Sequence, residues 1–153
     1  MPEINSTLWN QVLRFLSYRS RSEHEIVQYL KKKETDQDEI NVIVTKLKSY
    51  NFINDAEFTR RWVESRIKNG KGKNFIYHEL LQKGIEKQSA KATLTSFTES
   101  EAEAVNYLAA KLSNKYKDKP TFEAKSKLVS ALVRRGFNYD DARSAVEKAF
   151  KKE

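Results

Sequence analysis

At 153 residues, with 39% hydrophobic and 33% charged side chains but only four glycines and two prolines, the chain has the makeup of one helical body or a short repeat array, not of a disordered segment or a turn-rich sheet. It contains no cysteine, which excludes a disulfide framework and a thiolate metal site, and no apolar run near the roughly 18 residues of a membrane span. Basic residues number 29 and acidic residues 21, so the net charge of +8 suits an anionic partner. The N-terminal MPEINSTLWN lacks the basic-then-apolar pattern of a signal peptide, and a cytoplasmic monomer with no membrane role is the expectation.

In chain order, Leu8, Val12 and Leu16 form a first apolar series at helical spacing. Ser22 and Glu25 follow at the spacing of a capping box, ahead of IVQYLKKK at 26–33. The acidic run ETDQDE at 34–39 lacks the glycine and terminal glutamate of a calcium loop. With Thr35 as cap and Asp38 in the first turn, it reads as the start of a third helix carrying Ile40, Val44 and Leu47.

Asn54 with Glu57 opens a fourth helix through Phe58, Trp62 and Val63, and Gly70 stops it. The break NGKGKN at 69–74 has only G-x-G, with no preceding strand, no Lys-Ser/Thr after a second glycine and no acid for a ribose or magnesium. It is therefore a basic linker and not a nucleotide cradle. YHELLQKG at 77–84 and the series Ala90, Leu94 and Phe97 complete the unit. Ser100 with Glu103 opens the next, which runs through Ala104, Leu108 and Leu112, then VSALVRRG at 129–136, then Ala142, Val146 and Ala149.

The segments at 26–33, 77–84 and 129–136 align without gaps, each ending in basic residues before a helix stop, so one three-helix unit recurs about every 50 residues. The fold class expected is all-α, three tandem three-helix repeats forming an elongated, curved array. The repeats cover residues 1–54, 55–98 and 99–153.

Candidate catalytic chemistry is absent. His24 and His78 lie in unrelated helices with no further ligand at metal spacing and no nucleophile tied to either, so neither an enzyme nor a cofactor site is expected. Most aromatic residues fall on apolar stripes and belong to cores; Tyr18, Tyr77 and Tyr139 are candidates for exposed roles. Arg19, Arg66 and Lys115 each follow an apolar stripe residue by three and face inward. There they are structural cations, in ion pairs or on helix-end carbonyls, with direct partner contact as the alternative.

The remaining signal is a basic surface. Arg60, Arg61 and Lys68 project from the polar side of the fourth helix, with Lys71 and Lys73 in the linker, although Glu57 and Glu64 share that side. Arg14, Arg21, Arg134 and Arg135 extend the surface into the outer repeats.

The run DAEFTRRWVESR at 55–66, followed by a glycine-bearing linker and ELLQKGI at 79–85, resembles the central motif of the RecX family of bacterial recombination regulators. RSRSEHEI at 19–26 is similar to the arginine-rich turn of that family's N-terminal region. Departures are Ile26 for leucine, Lys33 where glycine is common, and Thr59 at an alanine position. The resemblance implies a non-enzymatic all-α protein that binds the RecA recombinase, lodges against its filament on single-stranded DNA, and inhibits ATP hydrolysis and strand exchange during recombination and DNA repair. Weak, non-specific DNA binding is the expectation for the chain alone. A direct DNA binder and a helical adaptor for another protein stand as alternative readings.

Overall fold

The computed structural model describes residues 4–116 and 121–151. Nine α-helices are present among these residues, with no strand. They are α1 (Ser6–Tyr18), α2 (Glu23–Lys32), α3 (Gln37–Ser49), α4 (Asp55–Lys68), α5 (Lys73–Gln82), α6 (Lys87–Ser96), α7 (Thr98–Ser113), α8 (Phe122–Arg134) and α9 (Tyr139–Phe150), with a 3₁₀ turn at Asn114–Tyr116 after α7.

Each consecutive triple closes over its own core, because apolar residues three and four apart place one stripe per helix toward the other two. In the first triple Val12, Ile26, Leu30, Ile40, Ile43 and Leu47 are buried together. In the second, Phe58, Val63, Ile67, Ile76 and Leu80 are. In the third, Val105, Ala109, Leu128, Leu132, Phe137 and Val146 are. Each fully buried Ile or Leu contributes about 1.5–3 kcal/mol of transfer free energy, so every repeat carries its own driving force.

Local caps set the helix starts. Ser22 forms a full capping box with Glu25, and Asn54 accepts the Glu57 amide at 3.0 Å. Two expected starts are corrected. The third helix is capped by Asp36, not Thr35, with Asp36 accepting from the Glu39 amide at 2.8 Å. α7 begins at Thr98, so Ser100 lies within its first turn and caps nothing.

The repeat register is also corrected, by one residue. Gly84 and Gly136 hold the left-handed turn after α5 and α8, at φ 80° and 106°, and the matching position after α2 is Glu34 at φ 59°. Lys33 is only the helix C-cap, as Lys83 and Arg135 are. The glycine signal was lost because a glutamate occupies the strained position, at a cost of roughly 1 kcal/mol. Thr59 is buried at an alanine position because its hydroxyl donates to the Asp55 carbonyl at 2.7 Å.

Two joints link the triples, and they share one plan. The N-terminus of α2 meets the C-terminal turn of α5, where the Ser22 hydroxyl donates to the Lys83 carbonyl at 2.7 Å. The N-terminus of α5 likewise meets the C-terminal turn of α8, where the Gly72 and Asn74 amides donate to the Arg135 and Gly136 carbonyls at 2.8 and 3.0 Å. At both joints the first amide of the entering helix is held by a carboxylate at the start of the next triple: Glu23 N–H by Asp55 at 2.9 Å and Lys73 N–H by Glu101 at 2.6 Å. At the second joint main-chain amides meet main-chain carbonyls directly, and at the first a hydroxyl takes the carbonyl, so helix-end groups are satisfied at both.

Candidate interaction surface

α4 carries the middle of the basic surface, and its charges are largely spoken for. Glu57 accepts from Arg60 at 2.7 Å and Arg61 at 2.9 Å, while Glu64 takes Arg60 at 3.1 Å and Lys68 at 3.4 Å. Arg60 and Arg61 hold the Glu57 carboxyl below its ordinary range, chiefly by direct hydrogen bonds. These are the i,i+3 and i,i+4 pairs of a solvated helix face, screened by water and weak one by one.

Among the described residues, Arg14, Arg21, Lys71, Lys73, Arg134 and Arg135 form no ion pair within 4.0 Å. The joints bring some of these together. Gly72 lies on the Arg135 carbonyl, which sets Lys71 beside the end of α8. The Arg135 guanidinium lies against Gly70, at the carbonyl end of α4. Lys71 stacks over Phe75 with its ammonium 4.5 Å from the ring centre. Arg135, Lys68 and Lys111 border a groove of about 610 Å³ between α4 and α7, floored by Ile67 and Leu108.

Other members stand apart. Lys73 faces a different hollow with Tyr77 and Lys91. Arg14 is exposed on α1. Arg21 lies on the Phe15 ring at 3.8 Å, where burial and then the neighbouring Arg19 charge lower its pKa, offset in part by Glu25.

The three inward cations separate into two pairs and one exception. Arg66 makes a bidentate pair with Glu79, both contacts at 2.9 Å, and is one-quarter exposed. Arg19 pairs with Glu25. Lys115 is corrected: α7 ends at Ser113, the chain turns into the 3₁₀ segment, and Lys115 is exposed there, off the helical stripe that its spacing implied. Tyr18 and Tyr139 are exposed, whereas Tyr77 packs partly against the middle core.

Several side chains at the joints escaped the sequence reading. Trp62 is ringed by Arg19, Arg66 and Lys83, at 5.5, 5.7 and 5.1 Å from its ring centre, and its indole N–H points to Glu79 at 3.3 Å. Glu25 receives both Arg19 and Lys83. Burial pushes its carboxyl up, but the hydrogen bonds from Arg19 and the Ser22 amide, with the charges of Arg19 and Lys83, outweigh this and leave it below the ordinary range. Glu101 is buried at the α5 N-terminus, and burial raises its pKa despite the Lys73 amide and charge. Glu101 sits in the first turn of α7, a position that gave no signal beyond an ordinary acidic helix start.

A tandem three-helix repeat protein with a cationic exterior, with no cluster of metal-ligating side chains among its described residues, is thus the class defined by fold and surface. Three RecX family models match it: the first three-helix domain at residues 9–47, the second at 54–94 and the third at 99–152. The chain belongs to the RecX family.

Among its relatives, Regulatory protein RecX of Bacillus velezensis and that of Bacillus subtilis are each 38% identical over 143 residues, which is 92% of this chain and 54% of theirs. That of Streptococcus agalactiae is 34% identical over 146 residues. The chain therefore spans about half the length of the curated relatives it matches. The crystal structure of RecX from Lactobacillus salivarius superposes with a TM-score of 0.82 at 28% identity, covering 94% of this chain and 95% of that one. A second crystal structure, of a regulatory protein RecX, gives 0.76 at 30% identity over 94% of this chain and 71% of that one.

Proposed function

We propose that this chain is a non-enzymatic, monomeric cytoplasmic regulator of homologous recombination that binds the RecA filament on single-stranded DNA and inhibits its ATP hydrolysis and strand exchange. Membership in a family of regulatory proteins supports the reading, and so does the resemblance of residues 55–66 and 79–85 to the family's central motif. The single observation that carries the contact surface is the division of the cations. Arg60, Arg61 and Lys68 are held by α4 carboxylates, whereas Lys71, Arg134 and Arg135 have no carboxylate within ion-pair distance among the described residues; Lys71 and Arg135 meet at the second joint, and Arg134 is exposed in the last turn of α8 next to Arg135. Free charges gain most from an anionic partner, since they break no existing pair to bind it.

The test is recombinase ATPase on single-stranded DNA with increasing amounts of the chain. Inhibition is expected, and reversing Lys71 and Arg134 together to glutamate should abolish it while helicity stays unchanged. Reversing Arg61 and Lys68 should weaken it less. ATPase unaffected at saturating chain would overturn the regulatory reading. Inhibition that survives the Lys71/Arg134 reversal would overturn the surface. Tight binding of the isolated chain to one DNA sequence at physiological salt would favour a direct DNA binder instead.

A further inference from the structure

The two joints share a plan but not a chemistry. Across the first joint, between the α1–α3 triple and the α4–α6 triple, the contacts are mostly polar or charged: Ser22 to the Lys83 carbonyl, Glu23 N–H to Asp55, Glu25 to Lys83 at 3.2 Å, and Arg19 over Trp62, with His24 seated closely on Gly84 as the point about which the ends meet. The apolar core of the first triple contains only residues 4–53, and no side chain is common to it and the middle core. Across the second joint, Ala104 packs in both the middle and the C-terminal cores, and Leu108 lies against Gly70. There the helix end is seated by main chain on main chain, with Gly72 and Gly136 so close that a Cβ on Gly72 would lie 2.3 Å from the Phe137 nitrogen.

Charge pairs that are partly open to water weaken as salt rises, whereas shared apolar packing and interlocked main chain do not. Lys83 is 26% exposed and Glu25 13%, so the pair that crosses the first joint is open to counter-ions at its Lys83 end and shielded at its Glu25 end, and it takes high salt to weaken it. We infer that the first joint is a salt-responsive hinge, on which the α1–α3 triple swings while the remaining six helices move as one body. The residues that govern it are Glu25 and Lys83, with Ser22 and Asp55 as its main-chain latches. The inference is independent of which partner the cationic surface meets.

The absence of cysteine permits clean double labelling. Spin labels on Asn41→Cys and Gln88→Cys report the first joint, and labels on Gln88→Cys and Ser144→Cys the second; all three positions are exposed on helices. Raising salt from low to molar concentration should broaden the 41–88 distance distribution and shift it outward, leaving 88–144 unchanged. Glu25→Gln keeps an acceptor for the capping box but loses the charge, so it should reproduce the broadening at low salt. Lys83→Gln leaves the box untouched and should do the same, which guards against a folding defect in the first variant. A 41–88 distribution that stays narrow in high salt and in Lys83→Gln overturns the hinge. So does equal broadening of both distributions, which would mean general loosening.

Discussion

The first and second joints solve one problem, how to butt the amides of one helix onto the carbonyls of another, with side chains in one case and main chain in the other. Ser22 spans the gap at the first joint with a hydroxyl, which leaves room for Glu25, Lys83 and Arg19 to crowd around it. Gly72 at the matching place has no side chain, so the helices close until amide meets carbonyl and apolar residues behind them merge. One atom position, Cβ at the helix N-cap, thus separates a contact made through a side-chain hydroxyl from one made by main chain on main chain, while Gly84 on His24 and Gly136 on Phe75 are packed closely at both joints. Close approach is what only glycine permits there.

The largest expected effect breaks the second joint. Gly72→Ala sets a methyl group against the Phe137 amide and Gly136, and should lower stability by about 2–4 kcal/mol in denaturant unfolding, because the clash is with backbone that cannot rotate away. A loss comparable to an ordinary surface change would mean that the helices can separate at little cost.

Beside the first joint, Arg66→Ala leaves the partly buried Glu79 without its bidentate partner and uncovers Trp62. It should cost about 1–2 kcal/mol, whereas Arg61→Ala, nearly two-thirds exposed, should stay within about 0.5 kcal/mol. Equal melting of the two variants would remove the structural role assigned to Arg66. Ser22→Ala deletes both the α2 cap and the bond to Lys83, for an expected loss of about 1 kcal/mol.

Acid should act on the two joints in opposite directions. The Glu25 pKa is lowered in the fold, so its stabilisation is fully present above the unfolded value of about 4.3 and is lost as pH falls through the depressed folded value. Glu101 is raised, so its charged form is a cost above the folded value that disappears as pH falls to the unfolded one. Stability of Glu25→Gln relative to the parent should therefore improve in acid. Glu101→Gln should lose whatever charge-related advantage it has at neutral pH. Identical pH profiles for the two variants would contradict the contrast.

The smallest effect is a gain: Glu34→Gly relieves the left-handed turn after α2 and should raise stability by up to about 1 kcal/mol in thermal melts, making the first repeat resemble the other two.

The sequence by itself determined nearly all that is local. Helical spacing placed the cores, Ser22 and Asn54 marked starts, and Gly70, Gly84 and Gly136 marked stops, because caps and left-handed turns are satisfied within three or four residues of themselves. Where a turn used an untypical residue, as at Glu34, the register slipped by one, and where Phe97 replaced a polar cap, the start of α7 was missed. The pairing of Arg60 and Arg61 with Glu57 was foreseeable at helical spacing. Only the tertiary structure decided the partners of the groups at the joints and between helices. Glu79 is 13 residues from Arg66, Glu101 is 28 from Lys73, and Glu25 is 58 from Lys83, and no local rule connects residues so far apart. Arg66 and Glu79 meet because α4 and α5 pack within one triple, and the other two pairs meet because helix ends from different repeats must satisfy one another's exposed amides and carbonyls.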